Sequence, residues 1–179
     1  MRHNLVISLI SDDKPGIVEQ VACIVEECHG NWHDSHMARW HGKFAGIIAI
    51  SVAVEHKVSL IEALSGLNDK GIQLQISEGN GTSSSHTSEM GLQLTGPDRP
   101  GIVKEVSSAL ASRGINLLSL TTECGSMPWS GEPLFEAEGH IQPPSNIDLA
   151  ELDDALDTIA DELGIDINLL EVSTPTRDH

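Results

Sequence analysis

The chain has 179 residues, of which 39% are hydrophobic, and its formal net charge at pH 7 is −17. This length holds one large or two small domains, and the apolar content excludes a wholly disordered chain. The acidic charge argues against direct binding to nucleic acid or to an anionic membrane surface, because both require clustered Lys and Arg. No apolar run is long enough to span a bilayer, no signal peptide precedes the first strand, and no Cys-x-x-Cys pair occurs. We therefore expect a cytoplasmic protein with reduced thiols.

The first half of the chain predicts strands and helices in the order β-α-β-β-α-β. Apolar residues recur at helical spacing in two segments, each followed by a glycine, and the segments between them read as strands. The predicted strands are His3 to Ile10, Asn31 to Arg39, Phe44 to Val54 and Ile72 to Ile76, and the predicted helices are Ile17 to Cys28 and Val58 to Leu67.

The second half predicts the same order. Ser145 to Asp148 resembles a capping box at the start of its second helix, and Cys124 to Pro133 reads as a long loop. The predicted strands are Met90 to Thr95, Ile115 to Glu123, Leu134 to Ile141 and Ile165 to Val172, and the predicted helices are Ile102 to Leu110 and Leu149 to Leu163. All four helices are predicted to end at glycine, namely Gly30, Gly71, Gly114 and Gly164.

A β-α-β-β-α-β unit forms a four-stranded antiparallel sheet with both helices on one face, which is the ferredoxin-like topology. We therefore predict an α+β protein of two such domains. The first domain covers residues 1–78, a Gly/Ser-rich linker covers 79–88, the second domain covers 89–173, and 174–179 form a loose tail.

One loop occurs twice, and it is the strongest candidate for a binding site. The first copy is Asp13-Lys14-Pro15-Gly16-Ile17-Val18, and the second, 85 residues later, is Asp98-Arg99-Pro100-Gly101-Ile102-Val103. Proline favours the first helical position, which makes Lys14 and Arg99 the predicted N-caps. The amides of the next three residues would then lack internal partners and would suit a carboxylate or phosphate. Alternatively, water or the loop aspartates satisfy these amides, and the loop is only a connector.

Other chemistry is less well supported. His29, His33, His36 and His41 lie close in sequence, but His33 and His36 point to opposite faces of a strand. We therefore predict neither a metal site nor a cofactor. No nucleophile with its base, convergent carboxylate pair or cofactor loop appears, so we do not expect an enzyme.

The repeated loop after the first strand of two β-α-β-β-α-β units resembles tandem ACT domains. Within that group, the first loop together with Asn31-Trp32-His33-Asp34-Ser35 is similar to the glycine cleavage system transcriptional repressor family. The second half keeps its own loop and Gly114-Ile115-Asn116. The resemblance covers nearly the whole chain and implies a regulator that responds to amino acids without a DNA-binding domain of its own.

The resemblance also implies site residues. Loop amides would hold an effector carboxylate, with an asparagine of the next strand near it. For the second loop, our own hypothesis is that Asp98 or Asn116 takes the ammonium group. Because Trp32, His33, His36, Trp40 and His41 crowd the first half, the second loop is the preferred site. The implied ligand-binding residues are Asp13, Lys14, Gly16, Ile17, Val18 and Asn31 in the first half, and Asp98, Arg99, Gly101, Ile102, Val103 and Asn116 in the second.

The resulting hypothesis is an amino-acid-binding regulatory protein that binds glycine or a similar small amino acid. It would control transcription of glycine cleavage or related amino-acid metabolism genes through a protein partner such as a transcriptional activator. We expect a homodimer, because small antiparallel sheets leave an exposed face and edges. Two alternatives stay open: a free-standing regulatory subunit of a metabolic enzyme, and an interaction module that binds no ligand.

Overall fold

The computed structural model describes residues 1–79, 89–128 and 130–170. These residues form two compact units, one on each side of residues 80–88. Apart from Gly79, the predicted linker lies outside the described residues, as do the predicted tail at 174–179 and residues 171–173 of the second predicted domain.

The first unit is a four-stranded antiparallel sheet with the strand order β2-β3-β1-β4. Short 3-10 segments at Val54–His56 and Gly66–Lys70 flank its second helix. The elements are β1 (Arg2–Asp12), α1 (Ile17–Glu27), β2 (Asn31–Trp40), β3 (Lys43–Ala53), α2 (Lys57–Ser65) and β4 (Ile72–Glu78).

The second unit repeats this topology in the order β6-β7-β5-β8, which confirms the predicted α+β, ferredoxin-like fold. The predicted long loop is shorter than expected, because Cys124 pairs with Phe135 and β6 continues to Ser126. The elements are β5 (Met90–Pro97), α3 (Ile102–Ser112), β6 (Asn116–Ser126), β7 (Pro133–Gln142), α4 (Leu149–Leu163) and β8 (Asp166–Leu170).

Each unit has its own hydrophobic core between one sheet face and the two helices. Along β1, alternate residues are buried, and they pack against α1 and α2. Fully burying one such aliphatic side chain contributes roughly 1.5–3 kcal/mol. The corresponding core of the second unit contains Leu92 and Leu94 of β5, Val106 and Leu110 of α3, and Leu152, Leu156 and Ile159 of α4.

The helix N-termini differ from the prediction. The N-caps of α1 and α3 are Gly16 and Gly101 rather than Lys14 and Arg99, and their φ angles are 87° and 90°. A residue in this left-handed region cannot be part of a right-handed helix, so each helix begins only after its glycine. The N-cap of α4 is Asp148, the last residue of the segment that resembles a capping box, and it accepts a hydrogen bond from the amide of Glu151 at 2.8 Å.

The helix C-termini agree with the prediction except in α1. Gly114 and Gly164 take positive φ angles after α3 and α4. Gly71 does the same after the 3-10 segment Gly66–Lys70, although α2 itself already ends at Ser65. After α1 the left-handed residue is His29, with φ 54°, and the amide of Gly30 donates to the carbonyl of Val25 at 2.7 Å. A Cβ on Gly30 would lie 3.0 Å from that same carbonyl oxygen. Glycine at position 30 therefore serves close packing, whereas the strained backbone falls on histidine.

Candidate functional site

The two repeated loops have nearly identical backbone geometry at their glycines. The carbonyl of Gly16 accepts hydrogen bonds from the amide of Gln20 at 3.0 Å and from its Nε2 at 3.1 Å. The carbonyl of Gly101 accepts from the amide of Glu105 at 3.0 Å. In both units the first helical turn thus begins at a left-handed glycine, and the amides before residue 20 or 105 have no helical partner.

The two loops differ in how many of their three candidate ligand-binding amides already donate a hydrogen bond within the chain. No acceptor in the described parts of the chain reaches the amides of Gly16, Ile17 and Val18. In the second unit the amide of Ile102 donates to the carbonyl of Arg99 at 3.4 Å. The first loop therefore presents three N–H groups to an incoming anion, whereas the second loop holds one of its three internally.

The basic loop residues contact their own units. Nζ of Lys14 donates to the carbonyl of Lys70 at 3.2 Å. Nη2 of Arg99 donates to the carbonyl of Leu163 at 3.3 Å and pairs with Glu105 at 2.5 Å. Both side chains therefore have intramolecular partners, with which a ligand would compete.

The loop aspartates do not cap the helices. The backbone amides of Asp13 and Asp98 pair with the carbonyls of Gly42 and Pro133, each at 3.0 Å. The Asp13 carboxylate lies 3.6 Å from Nη1 of Arg39. Among the described contacts, neither aspartate accepts a hydrogen bond from a loop amide, so the connector interpretation loses its proposed internal acceptor.

A pocket of about 290 Å³ opens at the first loop. Its lining brings the amide-bearing segment together with two carboxylates, although no Trp or His lines it. The lining residues are Asp13, Lys14, Gly16, Ile17, Val18, Glu19 and Phe44. None of the Trp and His residues expected to crowd the first half is among these lining residues, and Trp32 lines a separate apolar groove along α1.

The second loop differs in the charges around its helix start. The 85-residue offset places Lys104 at the position of Glu19, and Glu105 at that of Gln20. The hydrogen bond from Arg99 holds the pKa of Glu105 below its ordinary value, and the pKa of Arg99 is raised by the same contact. The ion pair between them therefore stays formed at neutral pH.

The strand asparagines lie far from the loops of their own units. Asn31 pairs with Ser51, which is opposite Asn4 near the start of β1, whereas the loop follows Asp12 at the end of β1. Eight residues of strand at about 3.3 Å each separate these two ends by about 26 Å. The expectation that Asn31 lies near the first loop is therefore wrong within one unit.

Asn116 is separated from its loop in the same way. It pairs with Gln142 at the end of β7, whereas the loop follows Pro97, which pairs with Leu134 at the other end of that strand. A single amino acid cannot bridge the length of the sheet, so Asn116 cannot complete the loop site of its own unit. The sequence showed the spacing of these residues but not the strand register that separates them.

Sequence reasoning missed two residues of the first pocket. Glu19 lies in the first turn of α1, and its Oε2 atom is 3.6 Å from where a Cβ of Gly16 would stand. Phe44 follows the β2–β3 turn, and its partner across the sheet is Ser11, just before the loop. Glu19 was recognisable as an acidic residue in a first helical turn, whereas the position of Phe44 depends on strand register.

The histidines do not gather into a metal site. His33 lies at a β-bulge, and its Nε2 is 2.9 Å from Oγ of Ser51. His29 stacks at a tilt on His56, with 4.8 Å between ring centroids. Across the residues that the structure describes, no three His, Cys, Asp or Glu side chains converge on one point, and no helix is long and apolar enough to cross a membrane.

Comparison with known protein families matches both units to the ACT domain. The matched segments are residues 3–77 and residues 91–126. The first match spans the first unit from β1 to β4, and the second runs from β5 to the end of β6. Each match contains one copy of the repeated loop.

Two curated relatives match most of the chain. The glycine cleavage system transcriptional repressors of Escherichia coli strain K12 and of Shigella flexneri are each 25% identical over 169 residues. The alignment covers 90% of this chain and 86% of either relative. The likeness therefore extends through both units.

Two solved structures share the fold over most of the chain. The crystal structure of an unknown protein from Galdieria sulphuraria is 30% identical, with a TM-score of 0.77, and the match covers 96% of this chain and 99% of that one. The crystal structure of a putative glycine cleavage system transcriptional repressor is 20% identical, with a TM-score of 0.73 and coverage of 94% and 96%.

Proposed function

The chain belongs to the ACT domain family, and we propose that it binds a small amino acid and controls transcription through a protein partner. The family and the similarity to a transcriptional repressor support a regulatory role. In this proposal the protein catalyses no reaction, works in the cytoplasm, and regulates genes of glycine cleavage or related amino-acid metabolism. With a net charge of −17, its route to DNA is through a partner rather than through direct contact.

The first loop is the proposed effector site, and the observation that carries it is the set of three unpaired amides in a pocket with two carboxylates. At neutral pH an amino acid carries a negative carboxylate and a positive ammonium group. Its carboxylate suits the amides of Gly16, Ile17 and Val18 at the positive end of α1. Its ammonium group suits Glu19 and Asp13. The second loop has Lys104 in place of Glu19 and an engaged Ile102 amide, so it offers less to a zwitterion.

The expected affinity is modest. Charge-assisted hydrogen bonds contribute about 1.5–3 kcal/mol each to binding. The translational and rotational freedom that the ligand loses on association opposes this gain. We expect dissociation constants from micromolar to millimolar for glycine or a similarly small amino acid. Because the amides bind the carboxylate, the side chain of the effector is selected only by the remaining space of the pocket.

Calorimetric titration of small amino acids into Gly16→Ala and Gly101→Ala tests the site. Both substitutions force alanine into the left-handed region, which costs about 1–2 kcal/mol, so the two variants carry matched strain. Only the new methyl at position 16 stands inside the pocket, 3.6 Å from Oε2 of Glu19. We expect Gly16→Ala to weaken binding about tenfold or more, with Gly101→Ala close to the parent.

Loss of binding in Gly101→Ala with normal binding in Gly16→Ala would move the site to the second loop. Equal binding by both variants and the parent would show that neither loop is the site. Glu19→Gln tests the proposed ammonium contact separately from the carboxylate contact. Because acetate has a carboxylate but no ammonium group, this variant should weaken binding of an amino acid but not of acetate.

The partner is tested separately by affinity capture with the full chain, with and without the bound amino acid. Recovery of a transcriptional activator supports the proposal. Recovery of an enzyme of amino-acid metabolism would favour the regulatory-subunit alternative, and a protein that no amino acid stabilises would favour the interaction module.

A further inference from the structure

The outer face of the first sheet, opposite its helices, is unusually apolar for an exposed surface. Val6, Ile10 and Ile47 are 38%, 44% and 55% exposed. The strand register places Ile10 opposite Ala45, and Ile47 between Ser8 and His36. The three large side chains thus form one strip over the central strands β1 and β3. A contiguous apolar patch of this kind marks an interaction surface.

The charged groups at one end of this strip neutralise each other. Asp12 and Lys43 form an ion pair there, and this contact lowers the pKa of Asp12. Strand β4 adds only uncharged side chains to the same face, namely Gln73, Gln75 and Ser77. His36 of β2 lies beside Ile47 on this face and is its one titratable side chain between the two ends of the strip. We call the surface formed by Val6, Ser8, Ile10, His36, Ala38, Ala45, Ile47 and Ala49 the neutral face.

The second unit shows that this fold does not require an apolar outer face. Its register places Glu136 at the position of Ala45, Glu138 at that of Ile47, and Glu123 at that of Ala38. Glu123 even lies directly opposite Glu136, an arrangement of like charges that weakens strand pairing. The same surface is therefore acidic in one repeat and apolar in the other.

We propose that the neutral face is a homodimer interface, on which the same face of a second copy packs around a two-fold axis. Two copies of a chain with net charge −17 repel each other over most of their surface. The acidic outer face of the second unit adds to that repulsion. The neutral face avoids it, and a two-fold axis brings like side chains into one self-complementary contact.

The size of the face sets the strength of the dimer. Four strands about 4.8 Å apart and about nine residues long cover about 19 by 30 Å, or roughly 500–600 Å² on each copy. This is below the roughly 800 Å² per partner of a standard stable interface. The dimer is therefore in exchange with the monomer at micromolar concentrations, and its population depends on concentration.

Sedimentation velocity over a series from low to high micromolar concentration tests the proposal. Ile47→Glu copies the residue that the second unit carries at this position, so the fold accommodates it. Placing two carboxylates in the contact should raise the dimer dissociation constant about 100-fold or more. Val58→Glu is the matched control, because Val58 is 66% exposed on α2 and the change adds the same charge away from the neutral face.

A concentration-dependent dimer in the parent and in Val58→Glu, with a monomer in Ile47→Glu, supports the interface. A parent that stays monomeric throughout, or an Ile47→Glu variant that dimerises like the parent, overturns it. Ala38→Glu on the edge strand, which copies Glu123, repeats the test if Ile47→Glu does not fold. These measurements use no amino acid, so they are independent of the proposed effector site.

Discussion

Arg99 donates a hydrogen bond from Nη2 to the backbone carbonyl of Leu163, the last residue of α4, at 3.3 Å. In the first unit Nζ of Lys14 donates to the carbonyl of Lys70 at 3.2 Å. Leu163 and Lys70 each precede a glycine in the left-handed region. The basic residue of each loop therefore caps the C-terminal end of the last helical segment in its own unit, where a positive charge is favourable. This segment is α4 in the second unit and the 3-10 segment Gly66–Lys70 in the first.

Arg99→Met tests this capping role. Methionine keeps most of the length of the side chain but removes its donors, which leaves the Leu163 carbonyl and the Glu105 carboxylate without this partner. We expect the midpoint of thermal unfolding to fall by a few degrees. Circular dichroism follows the transition.

Lys104→Met is the control, because Lys104 is an exposed cation in the first turn of α3, and its side chain donates none of the hydrogen bonds found in the described parts of the chain. If the unfolding midpoint falls as much in Lys104→Met as in Arg99→Met, the effect comes from the lost charge rather than from the lost cap. An Arg99→Met variant as stable as the parent would remove the capping interpretation.

The ion pair of Arg99 and Glu105 makes stability depend on pH. The hydrogen bond from Arg99 lowers the pKa of Glu105 in the folded protein from its ordinary value of 4.5. The resulting stabilisation is fully present above that ordinary value and is lost as pH falls through the lowered pKa of the folded state. We expect Glu105→Gln to unfold more easily than the parent at neutral pH and to differ less from it in acid.

Urea unfolding of both proteins between about pH 3 and pH 7 measures this difference. Glu123→Gln is the control, because its carboxylate faces Glu136 across the β6–β7 pair. Removing it should cause no loss of stability at neutral pH. If the difference in unfolding free energy between the parent and Glu105→Gln stays constant with pH, the ion pair is not the source of the pH dependence.

Much of the fold was predictable because apolar periodicity is a local signal. Strand β1 buries every second residue from Leu5 to Leu9, and α1 buries Ile17, Val21 and Val25, as their spacing predicts. The position of each helix start was not predictable to the residue. Proline permits a helix to begin immediately, and only the left-handed φ of Gly16 delays it.

The parts that the sequence did not reveal depend on contacts between distant segments. The left-handed residue after α1 is His29, since Gly30 is needed where a Cβ would meet Val25. The placement of Asn31 follows from pairing with β3, which no local pattern specifies. Only the loop part of the candidate site was therefore found, because its residues are adjacent in the chain.

The separation of Asn31 from the first loop leads to a last prediction. About 26 Å of sheet lies between them within one unit, so Asn31 cannot contact an amino acid held by the Gly16, Ile17 and Val18 amides of its own chain. We expect Asn31→Ala to bind the effector within about twofold of the parent, at concentrations where the chain is monomeric. Among the hydrogen bonds in the described parts of the chain, the Asn31 side chain makes one, with Nδ1 of His33 at 3.5 Å, so the fold should survive the change.

Calorimetry on Asn31→Ala beside Gly16→Ala makes the comparison. Weakening by Asn31→Ala as severe as that by Gly16→Ala, in a monomeric sample, would contradict a site confined to the loop. Weakening that appears only where the chain dimerises would mean that a second copy brings its Asn31 to the loop. An unchanged affinity at both concentrations leaves the ligand held by the first loop and its two carboxylates alone.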